Sequence, residues 1–344
     1  MRSAKEILLA TREFAHEQRW RSWWCLLSAL SLFAGLSYLA ASDRHWLLRS
    51  AASALAGLML VRLFILFHDQ QHGTIFRGSR VAGTIMHAFG ILSLNPPSVW
   101  KRSHDHHHRH NSRDFDPNIG SFPLMTVDGY AKASFGTRLG YRLSRHPLTM
   151  ALGYLTIFAG KMCLTPLISN PRRHWDAALS LVCHSVFAWL MFGDLDSLLL
   201  GWVVPFFIGS GIGSYLFFAQ HNFPGVRLQT DGQWDYVFSA MHSSSYLAMG
   251  PVMSWFTGNI GYHHVHHLNA RIPFYRLPAA MAGIEELRAP TVTSLAIKDI
   301  AGCLRLKLWD PVKRELVPWQ PLPAPSLAQG KLQTAWTALV AMVI

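Results

Sequence analysis

Four apolar runs decide what this chain can fold into. Residues 22–41, 46–67, 176–192 and 197–218 are each close to the roughly 20 residues that carry a helix across a bilayer. Inside hydrocarbon every backbone polar group must be satisfied within the chain, which leaves the helix as the structure for such runs. Short turns, around Ser42-Asp43-Arg44 and at 193–196, join them in pairs, so two helical hairpins are expected. Composition agrees: half of the residues are hydrophobic and only 15% are charged.

Two further apolar runs, 81–94 and 148–168, are ambiguous. The first is too short to cross comfortably. The second has basic residues at both ends (Arg142 and Arg145, then Arg172 and Arg173), and basic flanks prefer the cytoplasmic side. Both are expected to be re-entrant or to lie at the interface. Four spans then return the chain to the same face after each hairpin. The fold expected is an all-α integral membrane protein with a cytoplasmic N-terminal arm (1–21), a membrane core (22–278) with a cytoplasmic helical cap, and a cytoplasmic C-terminal region (279–344). Within that last region Pro318, Pro321, Pro323 and Pro325 read as an extended connector, and 334–344 as an apolar stretch too short to span.

The net charge of +12 resides mainly in the N-terminal arm (Arg2, Lys5, Arg12, Arg19, Arg21) and the connector 77–145. A nucleic-acid binder would place it on a solvated domain. Beside apolar runs it fits cytoplasmic orientation and anionic lipid, so the expected partners include membrane lipid and exclude nucleic acid. Arg62, near the end of a run, is expected to snorkel to the interface. Four scattered cysteines with no C-x-x-C give neither a metal site nor a disulfide framework. The first apolar run is too long for a signal-peptide core, so no cleavage is expected.

Histidines gather where the apolar runs end. His68 and His72 are four apart, and so share a helical face. The sets His104/His107/His108 and His263/His266/His267 are spaced i, i+3, i+4, which aims three imidazoles from one turn, and His221 follows the fourth run. One zinc takes three or four ligands, whereas nine imidazoles suit two ions of higher coordination. Imidazole alone does not choose between iron, copper, nickel and zinc. A membrane-embedded site with few carboxylates and no nucleophile motif points to oxygen activation. Asp69 and Asp105 each follow a candidate ligand and are placed to accept its second ring N–H; Asp114 and Asp116 are weaker candidates. His106, His110 and His264 lie off the register. Like His16, His45, His87, His146, His174, His184 and His242, they are read as interfacial, capping or packed residues.

These residues resemble the membrane fatty acid desaturase family, whose boxes HxxxH, HxxHH and HxxHH match His68/His72, His104/His107/His108 and His263/His266/His267. The segment TGNIGYHHVHHLNARIPFYRLP (257–278) and FAQHNF (218–223), followed by Trp234, are similar to acyl-lipid desaturases of the omega-6 and related bacterial kind. The resemblance implies two iron ions held by the nine histidines on the cytoplasmic side of a four-span core in a bacterial inner membrane, with O2 as co-substrate. It implies an acyl-lipid substrate and two electrons from a separate ferredoxin-like or other small donor with its reductase, since no His-Pro-Gly-Gly haem motif is present. The acyl-CoA branch carries an Asn one turn before the isolated histidine; here Phe217 stands in its place.

Three other readings stay open. A di-iron hydroxylase or ketolase of lipid, alkane or carotenoid would keep the same ligands. A metal-binding transporter would need ionisable ligands near mid-membrane, whereas these clusters lie at the ends of runs. A zinc hydrolase would want a general-base Glu, and no box contains one.

Overall fold

A computed structural model describes residues 2–112, 122–229 and 231–321. Asp114, Asp116, Pro323, Pro325 and the stretch 334–344 lie outside them. The described chain is mostly helical, and three of its helices have the length and apolar character to cross a membrane: Arg19–Ala41, Trp46–Gln71 and Leu195–Ala219. The second is central. Some 67% of its most apolar window is buried within the protein, against 22% and 17% for the other two. It packs against both. The approach to the third is close because glycines meet: a Cβ on Gly57 would sit 2.7 Å from Ile208 Cβ, and one on Gly209 would sit 3.0 Å from the Gly57 carbonyl.

The remaining apolar runs are shorter helices. Trp175–Leu190 has 16 residues and Arg80–Leu92 has 13. The run 148–168 breaks into Pro147–Ala151, a π-type stretch Tyr154–Leu164 and Thr165–Ser169, and Lys161 lies within its π-type part. Tyr154–Ser169 and Trp175–Leu190 are thus equally long, and each carries one charged residue, Lys161 in mid-run in the former and Asp176 in the first turn of the latter.

Two expectations are corrected. Arg62 does not snorkel; it is 6% exposed, donates to the Trp255 carbonyl, and lies 4.0 Å over the Trp255 ring. An inward guanidinium stacked on indole satisfies its charge without reaching water. Nor is the fold purely helical. Met125–Thr126 pairs in parallel with Leu308–Asp310, which pairs antiparallel with Glu315–Val317. Tyr246–Ala248 pairs in parallel with Val292–Ser294. Strands of two or three residues are too short to show an alternating pattern, so the sequence carries no sign of them. They tie the C-terminal region to the segments around the histidines, and Cys303, Trp309 and Leu316 pack on Ala219 and Phe223 just beyond the last long helix.

Candidate metal centre

Each histidine-bearing segment is fixed by a local device. The central helix delivers His68 and ends at His72, because Gly73 follows with φ +66°, a left-handed stop that favours glycine. The second set rides on the helix Pro97–Arg109, whose start is held by Asp176 from a neighbouring helix. Its carboxylate accepts from Ser98 N at 2.9 Å and Ser98 Oγ at 2.6 Å, which suits the positive end of a helix dipole. His221 follows Val204–Ala219 in a turn, and its neighbour Gln220 donates to the Ile260 carbonyl at 2.8 Å, linking it to the third set.

That third set stands on a six-residue helix, His263–Leu268. A helix so short is held by its surroundings. Leu247 N donates to the Gly261 carbonyl at 2.8 Å, so the small parallel sheet anchors its lead-in. Gly258 has φ +53°, and a Cβ there would lie 2.7 Å from Ile65 Cγ2. Gly258→Ala is expected to destabilise this corner by about 1–3 kcal/mol through strain and overlap. Metal retained after stepwise heating measures it, and an unshifted midpoint would show that the corner relaxes freely.

Nine imidazoles converge in two groups. His68, His72, His104, His108 and His266 offer nitrogens within 4.8 Å of one another, and so do His107, His221, His263 and His267. Eight of the nine nitrogens form two chains of close contacts. In one, Nε2 atoms approach at 2.9 Å (His68–His104), 3.0 Å (His104–His108) and 3.0 Å (His108–His266). In the other they approach at 3.0 Å (His107–His221), 2.9 Å (His221–His263) and 3.1 Å (His263–His267).

Hydrogen bonds alone do not account for these chains. His221 Nδ1 faces the Ser243 carbonyl at 3.0 Å and must carry that ring's proton, so a neutral His221 has a bare Nε2. His68 Nδ1 likewise faces Asp69 Oδ1 at 3.1 Å. One N–H serves one contact. If His104 donates to His68, and His263 to His221, neither has a lone pair left for its next neighbour. A cation within each group relieves the conflict, because all the lone pairs then point at positive charge. Metal–nitrogen bonds of about 2.1 Å at right angles put the nitrogens about 3.0 Å apart, whereas tetrahedral bonds put them about 3.4 Å apart. The observed separations fit the former.

Burial and mutual proximity also keep the rings neutral, as ligands must be. Burial first, then the neighbouring imidazoles, holds His104, His107, His108, His263, His266 and His267 well below the ordinary histidine range. Burial takes His221 down to about 4. His72 Nε2 is buried without a hydrogen-bond partner, an expensive state that a bound cation would remove.

The two carboxylates expected behind the ligands part company. Asp69 is buried; its Oδ1 faces His68 and its Oδ2 accepts from Phe274 N at 2.8 Å. Asp105 does not meet a ring. Its helical phase turns it outward, where it accepts from Lys101 Nζ at 3.0 Å one turn back. The off-register histidines have other partners. His264 Nε2 donates to the Leu287 carbonyl at 3.1 Å, His106 stacks on His110, and His45 and His146 cap helices. His184 lies between Tyr154 Oη and the Leu92 carbonyl.

Two contributors escaped the sequence reading. Trp100 stacks flat on His104, with centroids 4.4 Å apart, and presents an edge to His68. Its place one turn before His104 was the available signal. The Ser243 carbonyl that orients His221 had none, being backbone from a distant loop. Phe217 lies with its ring 5.1 Å from that of His107 and adds an apolar wall to the second group.

Known proteins resemble this chain. A profile of the fatty acid desaturase family matches residues 44–295, which include all nine converging histidines. A fatty acid desaturase of Bacillus subtilis (strain 168) is 33% identical, over 91% of this chain and 90% of its own. An sn-1 oleoyl-lipid 12-desaturase of Anabaena variabilis is 21% identical, over 82% and 81%. A beta-carotene ketolase of Paracoccus sp. (strain PC1) is 28% identical, over 68% and 82%. With the profile covering well over half of the chain and the Bacillus relative aligned almost end to end, this chain belongs to the fatty acid desaturase family of membrane oxidoreductases.

Proposed function

We propose that the protein is an O2-dependent di-iron desaturase that places a double bond in the acyl chain of a membrane lipid. The observation that carries this reading is the convergence of five and four buried imidazoles at separations suited to two ions of five or six coordination. An unactivated C–H bond has no acidic proton, so acid–base groups cannot open it. Two iron ions, when bound, supply the activation of O2 that removes two hydrogens from adjacent carbons. The balance is one O2, two electrons and two protons, giving one double bond and two waters.

In this reading His68, His72, His104, His108 and His266 hold one ion, and His107, His221, His263 and His267 the other. Asp69 and the Ser243 carbonyl fix the tautomers of His68 and His221, which aims their Nε2 lone pairs inward. Trp100 and Phe217 close two sides of the site with aromatic surface and exclude water. In the same reading the chain crosses four times, with Trp175–Leu190 as the shortest span, and keeps the site and the N-terminus on the cytoplasmic face of a bacterial inner membrane. The excess of basic residues on that face suits a small acidic electron donor of the ferredoxin kind with its reductase.

The test is acyl-chain mass profiling of a host that expresses the protein with a ferredoxin system. New chains lighter by two mass units are expected, and they should vanish without O2. The similarity to a carotenoid ketolase favours one competing reaction on the same ligands. Products that carry added oxygen, with no lighter chains, would replace desaturation by oxygenation.

A further inference from the structure

A part-open groove of about 600 Å³ lies beside the last long helix. Its volume is that of a small-molecule site. One wall is the stretch from Phe207 to Leu216 of that helix, another is Pro147–Ala151, and its inner end includes Met253. Those inner residues belong to segments of the candidate metal centre: Leu216 lies five residues before His221, and Met253 lies on the helix that leads into Gly258 and the third histidine set.

The groove has a bilayer side and a water side. Next to Met150 and Ala151 in the wall, Leu148, Leu152 and Leu155 are 61%, 44% and 55% exposed, an apolar face that only lipid covers favourably. Across it lies the amphipathic helix Ile297–Arg305. Ile300 and Leu304 line the groove, Cys303 is buried against the body, and Lys298 and Arg305 are exposed. An apolar face turned to lipid with cations beside it is the pattern of a helix at a membrane surface.

The lining is almost wholly apolar, from Phe207, Ile208 and Ile212 to Ile300 and Leu304, and suits a hydrocarbon chain rather than a polar ligand.

We propose that this groove is the port through which an acyl chain of a membrane lipid passes sideways from the bilayer toward the histidine site. The proposal rests on the acyl-lipid desaturase reading above, and it adds the route.

The test uses the full metal-loaded chain in nanodiscs with a phospholipid that bears a photoreactive diazirine in one acyl chain. After irradiation, peptide mapping should find adducts at Leu216 or Met253. Ile300→Trp, which fills the groove, should cut that labelling and lipid desaturation together by about tenfold, the worth of roughly 1.4 kcal/mol, and leave metal content unchanged. Ile297→Trp, on the same helix but 86% exposed, should alter neither.

Adducts confined to other surfaces, undiminished groove labelling in Ile300→Trp, or labelling by a soluble acyl thioester but not by the phospholipid would each overturn the port. Labelling needs no turnover, which separates the two readings. A labelled groove in a protein that desaturates nothing leaves the port and removes the reaction. Desaturation with an unlabelled groove removes the port alone.

Discussion

Replacing His266 with alanine is expected to lower bound metal from two ions per chain to about one and to reduce desaturation at least about 100-fold. His266 is the one member of the third set in the five-histidine group, and its Nε2 lies 3.0 Å from His108 Nε2. Its ring is also 4.6 Å from that of His68, so its removal opens the site between two other ligands. The gap left is buried and lined by lone pairs, where water is a poorer donor than a preorganised imidazole. Elemental analysis of the purified variant, with acyl-chain profiling of the same cells, measures both effects. Full metal content and full activity would remove His266 from the ligand set.

The second large effect is expected at Asp69. Asp69→Asn keeps the volume but replaces one carboxylate oxygen with an amide NH2 donor. The native side chain accepts from Phe274 N and faces His68 Nδ1, so two donors point at it. An amide satisfies one and sets N–H against N–H at the other. The His68 ring then loses its fixed tautomer, and losses of such partners cost about 10- to 100-fold in metal affinity. Asp105→Asn is the matched control, because it breaks only a part-exposed pair with Lys101 and such pairs contribute little. Metal-competition titration separates the two variants. Equal affinity in both would show that the Asp69 carboxylate does not act through His68.

Much of this site was legible in the chain. The i, i+3, i+4 spacing of His104/His107/His108 and of His263/His266/His267 needs only helical periodicity to put three rings on one face, and both sets do lie on helices. His106 and His264 fall off that face for the same reason, which is why they could be set aside. Asp69 and Asp105 looked alike, since each follows a candidate ligand. Sequence adjacency does not say which of two neighbouring side chains turns inward, and the backbone N–H of Phe274 that holds Asp69 is 205 residues away.

The sequence by itself determined the apolar helices and the identity of the converging histidines, because hydrophobic length and helical period are local properties of a chain. Tertiary structure decided the rest. It sorted nine imidazoles into groups of five and four, drawing His266 to one and His263 and His267 to the other although all three share a single turn. It turned Arg62 inward onto Trp255, and it used strands of two or three residues to tie the C-terminal region to the histidine segments. The physical reason is the same in each case. These outcomes depend on which distant groups satisfy a buried charge, a lone pair or a backbone N–H, and only packing brings those groups together.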